Sequence, residues 1–64
     1  MSKNYKVVTN LTVHHEDHDN RFTITENVKL NKNGLKEMIE NCKAYGREYM
    51  INKNQITIMA HEFC

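Results

Sequence analysis

NKNGLKEMIENCKAYG, running from Asn31 to Gly46, is the one segment of this 64-residue chain with a helical period. Leu35, Met38, Ile39, Cys42 and Tyr45 recur at i, i+3, i+4, i+7 and i+10. That spacing sets one apolar stripe along a helix of about three turns beginning near Leu35. Lys36, Glu37, Glu40 and Lys43 fill the opposite side. Asn31 is placed to cap the first turn, Leu30 to pack on Leu35 as a hydrophobic staple, and Gly46 to supply the left-handed residue that ends a helix. A helix this short is marginal alone, so its stripe must lie on another element.

Upstream of it the period changes from 3.6 to 2. From Tyr5 to His15 the odd positions Tyr5, Val7, Thr9, Leu11 and Val13 alternate with Lys6, Val8, Asn10, Thr12 and His14, and from Arg21 to Leu30 the even positions Phe22, Ile24, Val28 and Leu30 are apolar, with Glu26 the one exception. Two half-buried strands follow, one with its odd face inward and one with its even face inward. The polar turn formers between them predict a hairpin. A four-residue loop Glu16 to Asp19 pairs His15 with Asn20, Val13 with Phe22 and Tyr5 with Leu30. In that register Thr9 faces Glu26, the polar interruption of the other inner face, and Lys6 faces Lys29 on the outside.

Downstream, Ile56, Ile58 and Ala60 alternate with Thr57, Met59 and His61, which reads as a third strand, even face inward. Tyr49-Met50-Ile51 is also strand-like. The turn through Lys53 and Asn54 lacks the glycine that two-residue hairpins favour, so the reading preferred is one final strand with a bulged entry, and a short extra strand at 48–51 is the alternative. The right-handed crossover rule then sets the last strand beside the first. The expected fold is α+β: one domain over residues 1–64, ββαβ, with a three-stranded antiparallel sheet in order 2-1-3 and the helix on one face. Its expected core is Tyr5, Val7, Leu11, Val13, Phe22, Ile24, Val28, Ile56 and Ile58, closed by the helical stripe.

Composition narrows the functional classes. A domain of this size buries only roughly 60% of the surface of its unfolded chain, which leaves no room for a deep substrate cavity. Charged residues make up 27% and the net charge is +1. The first figure describes a globular chain and the second argues against strong general nucleic-acid binding. No apolar run approaches a membrane span, and MSKNYK carries no apolar signal region, so a cytoplasmic location and no membrane partner are expected. Cys42 and Cys64 form no CxxC pair and read as reduced thiols.

Chemistry-bearing residues concentrate in His14-His15-Glu16-Asp17-His18-Asp19. Imidazoles beside carboxylates are what zinc, nickel or copper bind. Yet His14 and His15 point to opposite faces of a strand, and no second ligand pair has fixed spacing, so the tip is read as polar, with no metal or other cofactor. No catalytic residue is assigned and no enzyme is expected: Cys42 belongs to the buried stripe, no glycine-rich phosphate loop is present, and Glu26 is the lone carboxylate inside the fold. The charge layout is more informative, with lysines (Lys6, Lys29, and Lys3 and Lys32 nearby) at one end of the sheet and an acidic, histidine-rich tip at the other. A dipolar sheet of this kind suits docking to a protein in one orientation.

Asparagine is the commonest residue and lysines outnumber arginines, a usage that fits a phage or another mobile element. The order of elements from Tyr5 to Phe63, a hairpin, a crossing helix and a final strand, resembles that of small early proteins by which lytic phages take over their hosts, including the phage inhibitor of bacterial RNA polymerase. The resemblance covers element order and no motif, so it carries over no functional residue. It implies a small binding protein that docks a host protein and inhibits or redirects it; the charge layout, and not the resemblance, makes His14, His15, Glu16, Asp17, His18, Asp19, Lys6 and Lys29 the expected partner-binding residues. The alternative is a small nucleic-acid-binding module that uses the lysine end. A homodimer through an edge strand is also expected to be accessible, because Thr23, Thr25 and Asn27 on the second strand carry no charge to discourage pairing.

Overall fold

Two 12-residue strands, β1 (Lys3–His14) and β2 (Asp19–Leu30), open the chain in the computed structural model, which describes residues 2–63. They form an antiparallel hairpin in which His14 pairs with Asp19, Leu11 with Phe22, Val7 with Glu26 and Lys3 with Leu30. The inward parity is the one the alternation predicts. The register is two residues away from the predicted one. The loop is His15 to His18, closed by the His15 N–H donating to the His18 carbonyl at 2.8 Å. Glu26 therefore faces Val7 and not Thr9, and Lys6 and Lys29 face Asn27 and Asn4 and not each other.

The helix α1 (Lys32–Ala44) begins one residue after Asn31, which caps it by accepting from the Gly34 N–H at 2.7 Å. It thus starts a turn earlier than the apolar stripe suggests, since a cap and not the first apolar residue sets a helix start. At the other end the Arg47 N–H reaches the Cys42 carbonyl and the Gly46 N–H the Lys43 carbonyl, with Gly46 at φ 66. This is a Schellman closure with glycine at the left-handed position.

Where one final strand is predicted there are two, β3 (Glu48–Asn52) and β4 (Gln55–Phe63), joined by the turn at Lys53 and Asn54. Lys53 takes the glycine-type conformation itself, at φ 56. The Asn54 carbonyl accepts from the Lys6 N–H at 2.8 Å, which ties the turn to β1 and helps hold that conformation. The extra strand changes the sheet. The crossover from β2 delivers β3 to the far edge, and β4 returns between β3 and β1, antiparallel to the former and parallel to the latter. The sheet is four-stranded and mixed, in the order β2-β1-β4-β3, in place of the three-stranded antiparallel 2-1-3 arrangement; the class remains α+β with one helix on one face.

Tyr5, Val7, Ile56, Ile58 and Cys42 form the buried core, with Val28, Leu30, Leu35, Met38 and Tyr49 packed around it. The predicted core members Leu11 and Val13 are only half-buried, and Phe22 and Ile24 are 51% and 47% exposed. Length explains the difference. A 13-residue helix spans about 20 Å and a 12-residue strand about 40 Å, so the helix reaches half of the hairpin. Tyr45, assigned to the stripe, lies beyond the last helical turn and is 74% exposed, with the Arg47 guanidinium 5.3 Å above its ring. Cys42 is a buried free thiol; Cys64 lies outside the described residues.

Candidate functional site

The helix packs on the face that carries Tyr5, Val7, Ile56 and Ile58, and strand alternation sends the other set of side chains to the opposite face. Among the described residues no element covers that opposite face. Its rows follow from the register: Asn4, Lys6, Val8, Asn10, Thr12 and His14 on β1; Asp19, Arg21, Thr23, Thr25, Asn27 and Lys29 on β2; Thr57, Met59, His61 and Phe63 on β4; Glu48 and Met50 on β3.

Side chains on this face are ordered into rungs that cross three strands. Thr23 donates from its hydroxyl to the Asn10 carbonyl oxygen at 3.2 Å, and the Asn10 amide reaches the Met59 sulfur at 3.6 Å. Toward the tip, His14 is held from both sides. Its Nδ1 lies 2.9 Å from Asp19 Oδ1 and its Nε2 lies 2.9 Å from His61 Nδ1. A carboxylate only accepts, so Nδ1 carries a proton; with neutral rings, Nε2 then accepts from His61. The His14 and His61 rings lie edge to edge and nearly coplanar, 5.1 Å between centroids, and the His14 ring stacks on the 81% exposed Phe63, at 4.8 Å. Asn10, Thr12, His14, Arg21, Met59 and His61 border an open concavity of about 430 Å³.

The alternation of the last strand does not by itself bring His61 or Phe63 to His14. Their place beside His14 depends on β4 lying parallel to β1, which pairs His14 with Phe63 and Thr12 with His61. With β3 as a strand in its own right, that neighbourhood follows from strand direction and parity.

The remaining tip residues form a separate cluster. His18 Nδ1 lies 2.8 Å from Asp17 Oδ1, the His18 ring stacks on His15 at 4.6 Å, and the Asn20 amide approaches His15 Nε2 at 3.2 Å. Glu16 and Asp17 are exposed. Lys6 and Lys29 are diagonal neighbours at the far end of the uncovered face, eight residues from His14 along β1, or about 26 Å. The structure therefore does not bring the lysines and the tip together; it sets them at opposite ends of one surface. Lys3 pairs with Leu30 on the helix-bearing side, and Lys32 opens the helix, so the four lysines do not share a face. Among the described residues no three histidine, cysteine or acidic side chains converge as a metal ion would require, and no helix is long and apolar enough to cross a membrane.

The chain matches no family model, no curated protein and no solved structure.

Proposed function

We propose that this is a small non-enzymatic docking protein of a phage or another mobile element, which binds a host protein through its uncovered sheet face and inhibits or redirects it. The observation that carries the reading is that, among the described residues, one whole face of a four-stranded sheet is left without a covering element, with cations at one end and the acidic, histidine-rich tip at the other. The molecule measures 46 × 21 × 15 Å. Its broad outline is of the order of the ~800 Å² that one partner contributes to a standard interface. Opposite charge at the two ends fixes the orientation of docking, with Met50 and Met59 supplying apolar contact between them and Phe63 beside the tip.

A single-stranded nucleic acid is the competing ligand, favoured by the stacked rings of His14 and Phe63, on which a base could lie. Capture from host cells separates the two. The tagged parent and a helix-surface control, Lys36→Glu with Lys43→Glu, should retain the same single protein. Asp17→Asn with Asp19→Asn, and Lys6→Glu with Lys29→Glu, should each lose it while keeping the parent's circular dichroism. A partner kept by both of these variants would refute the reading. Recovery of nucleic acid whose binding falls steeply with salt would favour the alternative.

A further inference from the structure

The two edges of the sheet are unlike. β3 is five residues long, whereas β2 runs for 12 residues, pairs with β1 without a bulge, contains no proline, and offers its outer row of backbone N–H and C=O groups to solvent. Long, regular edges of this kind are what proteins ordinarily blunt. Beside this edge, on the helix-bearing side, lies the half of the hairpin the helix does not reach, with Phe22 and Ile24 about half exposed and Leu11 next to Phe22.

The dimensions point the same way. The chain exposes 5274 Å² at a mass of 7.6 kDa, where a compact monomer of that mass exposes roughly 4,300 Å². The excess, about 1,000 Å², is close to the share one partner buries in a standard interface. The radius of gyration is 13.1 Å, the value typical of a domain of about 100 residues.

We propose that a second copy of this chain occupies the β2 edge, the two β2 strands pairing antiparallel about a two-fold axis through Thr23 to give one continuous eight-stranded sheet. An isologous contact of this kind must keep both apolar rows on one face, which restricts the axis to pairings of like parity. Among these, the axis at Thr23 sets Phe22 opposite Ile24 of the second copy, twice over. It also sets the Glu26 carboxylate opposite the Asn20 amide and Arg21 opposite Thr25. An axis at Ile24 would oppose Phe22 to Glu26, and one at Thr25 would oppose Arg21 to Lys29, both unfavourable cross-strand pairs. The pairing leaves the uncovered outer faces of both copies free, so it stands whether or not the docking reading does.

Sedimentation should show a species of twice 7.6 kDa that dissociates on dilution, and Ile24→Lys, whose side chain water can reach in the monomer, should sediment as monomer with unchanged circular dichroism. In a Cys64→Ser background, Thr23→Cys should cross-link to a covalent dimer on mild oxidation, because residues facing across an antiparallel pair lie within disulfide reach. Thr12→Cys, on the interior strand β1, should not. A parent that remains monomeric at about 1 mM overturns the proposal. So does an Ile24→Lys chain that dimerises like the parent.

Discussion

Ile56 is the side chain on which the packing account depends most, because it is 2% exposed and lies between Val7 of β1 and Ile51 of β3 beneath the helix. Changing Ile56→Ala removes three carbon atoms, worth roughly 0.8 kcal/mol each in transfer, and leaves a cavity that the rigid sheet cannot close. Together these should cost about 3–4 kcal/mol. A 64-residue domain has a stability of only about 3–10 kcal/mol, so the variant should be near the limit of folding. At about 4–8 °C per kcal/mol for a domain of this size, its melting temperature should fall by about 12 °C or more. Met50→Ala is the control: Met50 is 69% exposed on the uncovered face and should change stability by no more than about 0.5 kcal/mol. Both melts should be read by circular dichroism at one protein concentration, since self-association makes melting concentration-dependent. Equal losses for the two variants would refute the assignment of inner and outer faces.

The turn and helix end give smaller effects with known sign. Gly46→Ala should cost about 1 kcal/mol, entirely from the left-handed backbone, because an added Cβ there meets nothing within 4 Å. Lys53→Gly should raise stability by roughly 0.5–1 kcal/mol, since the native lysine already sits at φ 56. A loss from Lys53→Gly in urea unfolding would mean that β3 and β4 are not joined by this turn.

Much of the fold can be read in the residues themselves, and the misreadings have physical causes. The cap at Asn31, the stop at Gly46 and the inward parity of β1, β2 and β4 follow from side-chain chemistry and alternation alone. Parity cannot separate two hairpin registers that differ by two residues, because both place the apolar rows on one face. The loop decides between them, through the bond from His15 N–H to the His18 carbonyl. The turn at Lys53 and Asn54 lacks the glycine that two-residue hairpins favour. Once the lysine accepts positive φ, β3 exists, the crossover shifts outward by a strand, and His61 and Phe63 arrive beside His14. Periodicity says which residues face the helix and not how far the helix reaches; hence Phe22 and Ile24 stand exposed.

Hydroxyl-radical footprinting of the protein with its captured partner tests the docking reading most directly, because methionine, aromatic and histidine side chains report on each face separately. Met50, Met59, Phe63 and His14 mark the uncovered face, and Tyr45, at the exposed end of the helix, marks the other side. The partner should protect Met50, Met59, Phe63 and His14 and leave Tyr45 as reactive as in the free protein. Protection of Tyr45, with Met50, Met59 and Phe63 still freely oxidised, would contradict the docking reading.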